Sequence, residues 1–469
     1  MRANLLIPLL VLLEATKLAL DHFSDVDLYW HLRLGLDMLA RGELPAAVEY
    51  TWTVRGAPYL ANDWLAEIAL ALAFRAGGFL GVALLKALAA AVLALLLYAA
   101  ALLRADGNSR AAGLAVAVML FVGATNFIAR PVLLGHVCLA LELVSLELLW
   151  RGRRWAALGL GVAFGLWVNL HGSWPVGLAP LAAALMAASR PVSWRRLGER
   201  PLPAKARRWL AAGAVLGVAA LFANPVGPRL LTRPFGMFGA RAHLGVLKEW
   251  SPVPFEDPSA WILFGAAALL ALACWRSKRP LPLWDLGVVA ATFAMACSTA
   301  LYHLPFAVVA APVLAEQLSS LLSRKGLSKP GVNLAVAASA ALVLGGVMLA
   351  RVQLIPLDVR SEIPVDAIDE LERSGLAQER GFNFFDFGGF LVFRKIPTLV
   401  DGRLEPFLHA GVFDRYVALE TRGDVESLEK EGVRWILART GTRMAAVAAA
   451  RPGWRPLHRG EIGELFVRE

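Results

Sequence analysis

Apolar runs long enough to cross a bilayer recur along the first three quarters of this 469-residue chain, and they decide most of what it can fold into. Inside hydrocarbon every backbone N–H and C=O must be satisfied by the chain itself, so such runs close into helices. The pattern predicts spans near 4–20, 79–103, 111–128, 132–150, 155–170, 174–189, 209–223, 259–275, 284–300, 303–321 and 331–350. Apolar residues make up 58% of the chain and charged residues 18%, which is a membrane composition. The first span carries Glu14 and Lys17 and is followed by no small-residue cleavage site, so it reads as a retained helix rather than a signal peptide.

A formal net charge of +10 raises nucleic acid as a partner, but the distribution of the charge argues against it. With the N-terminus in the cytoplasm and each span crossing once, the inner loops hold nineteen Lys and Arg residues against nine in the outer loops. That asymmetry is the positive-inside rule, so the basic excess is a topology signal and a contact with anionic headgroups. The three cysteines, Cys138, Cys274 and Cys297, all fall inside apolar spans and read as small core residues.

Two regions interrupt the alternation of spans and short loops. In 21–78, Trp30 to Leu44 reads as an amphipathic helix, and a second helix starts near Asp63-Trp64 and runs to Gly77-Gly78. Trp30, Trp52, Tyr59 and Trp64 suit an interfacial aromatic belt, so the loop is expected on the outer membrane surface. From 351 to 469 the composition turns soluble. Strands are expected at Thr398-Leu399-Val400, at Trp435-Ile436-Leu437 and at Glu464 to Val467, giving a small α/β domain outside the membrane.

Directly after the first span stands Ser24-Asp25-Val26-Asp27-Leu28-Tyr29-Trp30-His31. If the chain turns helical at Asp27, His31 lies one turn later on the same face, and two carboxylates and an imidazole converge on one ligand, metal or reacting hydroxyl. The alternative is an N-cap, where an Asp satisfies free amides and favours the positive end of the helix dipole.

The predicted topology gathers the other polar motifs on the outer side. They are Asn126 to His136 with Arg130-Pro131, Trp167 to Pro175 with Asn169 and His171, Asn224-Pro225-Val226-Gly227, Lys248-Glu249-Trp250, and Ser298 to His303. Ionisable groups at membrane depth are costly and mark cavities or pathways. Singly, each has a plainer explanation. Asn224-Pro225 and Gly172 end helices, Arg130 snorkels, the histidines sit satisfied at the interface, and Asp401-Gly402-Arg403 forms a hairpin turn. Their common side favours a polar cavity open to the outside. No Walker-type loop, zinc-protease motif, nucleophile elbow or glycine-rich nucleotide-sugar turn is present.

This layout resembles the type-C (GT-C) integral-membrane glycosyltransferases, and within them a bacterial group with the pattern D-x-D-x-W-W-H-x-x-x-G, W-x-x-H-E-W-L, R-P, W-x-N-x-H-G, N-P-x-G, E-W and D-G-R. Here the pieces are Asp25 to His31 with Gly35, Asn62-Asp63-Trp64-Leu65, Arg130-Pro131, Trp167 to Gly172, Asn224 to Gly227, Glu249-Trp250 and Asp401-Gly402-Arg403. The resemblance covers nearly the whole chain. Departures are Tyr29 for the first Trp, Asn62-Asp63 for His-Glu, and Tyr302-His303 where an arginine is expected.

The resemblance implies an α-helical polytopic protein of about eleven spans in 1–350, followed by an extracytoplasmic α/β domain in 351–469. It further implies a bacterial or archaeal cell membrane and transfer of a hexose or pentose from a polyprenyl-phosphate-linked donor to a glycan, lipid or protein acceptor. Such chemistry needs a general base for the acceptor hydroxyl and cationic or hydrogen-bonding groups for the departing phosphate. Asp25 is the first candidate base. Asp27 is the second, or a ligand with Asp25 for Mg²⁺ or Mn²⁺. Arg130, His171 and Lys248 are candidates for the phosphate, with His31, Asn169, Glu249 and Arg403 further candidates for substrate contact. Two other classes fit a polar multi-span bundle: a lipid or glycan transporter or flippase, and a non-catalytic envelope scaffold. A transporter favours mid-span charges and internal repeats. Apart from Glu14, Lys17, Glu142 and Glu147 few charges stand mid-span, and no clear repeat is seen.

Overall fold

The structure is a computed structural model that describes residues 3–21, 25–200, 202–239, 251–323 and 330–469. It divides into two compact units. The first comprises residues 1–21 and 83–352, and the second comprises residues 22–82 and 353–469.

The first unit is a helical bundle. The eleven apolar runs fall on helices, from Ala3–Asp21 to Pro330–Glu362, although the helices under 111–128 and 209–223 already end at Val122 and Ala220. Among the described residues, five helices are long and apolar enough to cross a membrane: Trp64–Arg104, Pro131–Trp150, Pro258–Arg276, Ala300–Leu318 and Gly331–Glu362. Ser109–Val122, Ala156–Leu170, Trp174–Ser189 and Leu283–Ser298 are shorter apolar helices. His303–Leu318 is buried along its whole length and serves as the hub of the bundle. Small residues let neighbouring helices approach closely. A Cβ on Gly213 would come within 2.9 Å of Leu160 Cδ1 and 3.1 Å of Ala157 Cα, and one on Gly159 within 2.3 Å of Ser145 Oγ.

One end of this bundle carries a knot of buried charge. Arg104 donates from Nε to Glu316 Oε2 (2.7 Å), from Nη1 to Glu147 Oε1 (3.2 Å) and from Nη2 to Asp285 Oδ2 (2.5 Å). Arg200 forks onto both oxygens of Glu147 at 2.8 Å. Buried charges survive only when paired in this way, because desolvation of each is costly. The same end holds the hairpin Ser193–Trp194/Leu197–Gly198. From it Arg196 donates to the carbonyls of Cys274, Trp275 and Ser277 and so closes the C-terminus of Pro258–Arg276.

The second unit joins the loop after the first helix to the C-terminal residues. Helix Leu28–Arg41 ends at Gly42, which takes a left-handed φ of 72° and donates its N–H to Met38 O. The next helix starts at Trp64, as expected, and loses helical geometry at Gly77 and Gly78, where the sequence places the break. The C-terminal residues form a four-stranded sheet in the order Gly381–Asn383, Trp435–Arg439, Gly463–Arg468, Trp454–Arg459; the first pair is parallel and the others antiparallel. The strands expected at 435–437 and 464–467 are present. Thr398 to Val400 is not a strand of this sheet: Thr398 makes an isolated parallel bridge to Thr51. Trp52 N donates to Thr398 O (3.1 Å) and Thr398 N to Tyr50 O (3.1 Å), so its backbone is satisfied by the loop rather than by a ladder.

Candidate active site

Within the second unit, three sequence motifs that lie far apart along the chain meet. Asp25 is buried and accepts the Asp27 N–H at Oδ1 (3.0 Å), a local Asx-type turn. Asp27 occupies the N-cap position of Leu28–Arg41, yet its side chain makes no capping bond. Its Oδ1 instead accepts Trp30 Nε1–H at 3.1 Å. The capping alternative therefore does not describe Asp27.

The expected convergence of His31 with the two aspartates is corrected by the structure. The His31 ring lies 4% exposed, stacked on Trp30 at 3.5 Å between centroids, with Nδ1 2.9 Å from Glu67 Oε1. The physical reason is that Glu67, on the helix starting at Trp64, supplies a buried carboxylate that the imidazole satisfies. Gly35 allows this closeness: a Cβ there would lie 2.1 Å from the Glu67 carbonyl oxygen. Asp25 is 7% exposed, and Asp27 is half-buried.

Around them stand residues of the C-terminal segment. Gly389 packs on the acidic loop, since a Cβ there would meet Val26 O at 2.2 Å. Tyr29 stacks edge-on to Phe390 at 4.9 Å. Asp401 and Arg403 form a buried two-pronged pair, from Nε to Oδ1 (2.8 Å) and Nη2 to Oδ2 (2.6 Å), while Thr398 Oγ1 donates to Oδ2 (3.0 Å). Asp401 holds the Arg403 guanidinium above the ordinary arginine range against the cost of burial, and Tyr59 and Glu67 add to its negative surroundings. Arg403 is 4% exposed, and its guanidinium braces the turn through Asp401. Glu67, Gly35, Gly389 and Trp30 escaped the sequence reading as site residues. Only the departure at Asn62-Asp63 pointed to that stretch.

In the first unit the outer-side motifs gather at one end of the bundle, opposite the Arg104 knot. Arg130 precedes Pro131 at the start of Pro131–Trp150, whereas Glu147 stands at that helix's other end. His171 lies in the electrostatic field of His136, Arg233 and Arg130. Burial, then those neighbours, holds its imidazole toward the neutral form. Its Nδ1 accepts the Ser173 N–H (3.1 Å), so the ring proton sits on Nε2, a hydrogen-bond donor rather than a cation. Asn169 donates to Gly165 O (2.7 Å) and Ala223 O (2.9 Å) and ties two helix ends together. Asn126 does the same work with Ala300 O and the Leu304 N–H. Asn224 Oδ1 accepts the N–H groups of Val226 and Gly227, so this motif is a turn. Lys248 and Glu249 lie outside the described residues.

No protein-family model and no curated protein matches the chain by sequence. Solved structures do match it. The oligosaccharyltransferase of Archaeoglobus fulgidus, tethered with an acceptor peptide containing the NVT sequon, superposes with a TM-score of 0.59 at 14% identity, over 93% of this chain and 69% of that one. ArnT from Cupriavidus metallidurans, bound to undecaprenyl phosphate, gives a TM-score of 0.55 at 13% identity, over 98% of this chain and 97% of that one. The archaeal enzyme in complex with Zn and sulfate gives 0.56 at 14% identity, over 95% and 70%. The fold is therefore the one these two proteins share: a bundle of apolar helices with a small C-terminal sheet domain.

A divalent cation on Asp25 and Asp27 would use the carboxylate oxygens left beside the hydrogen bonds they already accept. Each carboxylate commits Oδ1 to a local hydrogen bond, and His31 is turned to Glu67. Among the described residues no group of three or more His, Cys, Asp or Glu side chains is placed to hold a metal.

Proposed function

We propose that this protein is a membrane glycosyltransferase that moves a sugar from a polyprenyl-phosphate-linked donor to an extracytoplasmic acceptor. The observation that carries the reading is the shared fold over 98% of this chain and 97% of ArnT, a protein solved with undecaprenyl phosphate bound. The acidic loop adds to it. Asp27 stands at the start of a helix that its side chain does not cap, while Asp25 accepts the Asp27 N–H, and the burial of Asp25 raises the strength of any charge interaction it makes.

In this reading one aspartate takes the proton of the acceptor hydroxyl as the oxygen attacks the anomeric carbon. The bond from that carbon to the phosphate oxygen breaks, and the polyprenyl phosphate leaves with the bonding pair. Asp27 is the more exposed of the two, which supports it as the group meeting the acceptor; Asp25 holds the Asp27 backbone through its amide. Arg130 suits the leaving phosphate because a guanidinium engages two oxygens at once, and His171 can add a neutral Nε2–H donor.

The test is transfer from undecaprenyl-phosphate-linked sugars in reconstituted membranes, with thermal unfolding measured alongside. Asp25→Asn and Asp27→Asn preserve shape and remove the base. Loss of general-base assistance costs about 10²–10⁴ in rate. Loss of transfer at unchanged stability is the expected result. Near wild-type transfer by both variants refutes the reading.

A further inference from the structure

The acidic loop and the Asp401-Gly402-Arg403 turn meet where only a hydrogen side chain fits. A Cβ on Gly402 would stand 1.9 Å from Asp27 Oδ1 and 2.6 Å from Trp30 Nε1, the two atoms that share the 3.1 Å hydrogen bond. Gly402 does not have a left-handed φ, so what it supplies here is space and not conformational freedom.

The turn that presents Gly402 is itself rigidly held. Asp401 Oδ1 accepts both the backbone N–H (3.1 Å) and Nε–H of Arg403, and Asp401 Oδ2 accepts Nη2–H of Arg403 and the Thr398 hydroxyl. Thr398 is anchored in turn: its carbonyl accepts Thr51 Oγ1–H (2.9 Å), and its Oγ1 lies 3.1 Å from Tyr50 O. Asp401 is fully buried and Arg403 nearly so. The turn therefore does not yield when pushed, while the short Asp27 side chain can.

We propose that Gly402 and Trp30, backed by the Asp401–Arg403 pair, are positioning residues that set where the Asp27 carboxylate points. The C-terminal residues then belong to the catalytic machinery of this protein and are not only a cover or an acceptor module. This rests on the assignment of Asp27 above, and the experiment separates the two.

Gly402→Ala must displace Asp27 Oδ1, because the nearest obstacles to the new methyl are side-chain atoms. Gly389→Ala, which meets the Val26 backbone oxygen at 2.2 Å, must instead disturb the packing and serves as the destabilised control. The first measurement needs no substrate. Thermal unfolding of Gly402→Ala is compared in the wild-type and Asp27→Ala backgrounds. A melting-temperature loss that shrinks when Asp27 is truncated is expected, with the remainder due to Trp30 Nε1 at 2.6 Å, since coupling of this kind marks direct contact. An equal loss in both backgrounds overturns the proposal.

The second measurement is transfer from a panel of undecaprenyl-phosphate-linked sugars. Gly402→Ala should lower kcat about 100-fold with donor KM unchanged, the scale of an ångström-sized misplacement. Trp30→Phe frees the carboxylate by another route while keeping an aromatic ring against His31, and should lower kcat about tenfold. Wild-type kcat in both variants, with Asp27→Asn inactive, overturns the positioning role. Full transfer by Asp27→Asn instead overturns the functional assignment of Asp27.

Discussion

Asp27 begins a helix without capping it, and that difference is what makes a conservative substitution informative at this residue. An Asn caps about as well as an Asp, so nothing structural at the helix N-terminus is lost in Asp27→Asn. Arg130 poses the same question of role. If it contacts the donor phosphate, Arg130→Gln should weaken binding of undecaprenyl phosphate by about 2–5 kcal/mol, the cost of leaving a buried charge unpaired. A binding titration on the folded variant checks this, and unchanged affinity would return Arg130 to headgroup contact. The acidic pair and the Asp-Gly-Arg turn were both visible in the sequence, because Asp and Gly in these patterns are informative singly. Their contact was not, since it joins opposite ends of the chain and depends on the absence of a side chain at Gly402. His31 misled for a related reason: helical spacing places it near Asp27, but its carboxylate partner, Glu67, is on another helix.

Elements of the C-terminal sheet domain are tied by a carboxylate with a distinct acid response. Glu429, at the end of helix Val425–Lys430, accepts from Arg451 Nε (3.0 Å) and Nη2 (2.6 Å) and from Trp454 Nε1 (2.9 Å). The Arg451 hydrogen bond, against a smaller burial cost, holds its carboxyl down at about 2. The folded value is depressed, so the stabilisation is present above the unfolded carboxyl value near 4.3 and is lost as pH falls through 2. Because Arg451 is partly exposed, we expect about 1 kcal/mol. Denaturation of wild type and Glu429→Gln across pH 6 to 2 should show a stability gap that closes over that window. Helix positions were the most legible part of the fold, because apolar runs and Gly77-Gly78 act locally, although the helix expected to run to Leu44 already ends at Gly42. The strand expected at Thr398 to Val400 failed because a β-favouring run says nothing about its partner, which here is the loop at Tyr50 to Trp52.

For the whole molecule, the charge asymmetry predicts a cytoplasmic N-terminus and an external C-terminus. In a chain with its three cysteines replaced, single cysteines at Ser193 and Ser427 test this in intact cells with an impermeant thiol reagent. Label at Ser427 and none at Ser193 is expected, and the reverse pattern sinks the topology. The gathering of polar motifs at one bundle end could be foreseen because loops alternate sides. The Arg104 knot could not, because Glu147, Asp285 and Glu316 come from three separate helices. That knot has a consequence for how the protein is made. Arg104, the last residue of its helix, leaves the ribosome well before the helices bearing Asp285 and Glu316, and at a helix end it can meanwhile snorkel toward headgroups. Until helix His303–Leu318 arrives, the early helices hold an arginine whose acidic partners are still incomplete. The order of synthesis therefore makes closure of the knot a late step, complete only once helix His303–Leu318 has been made.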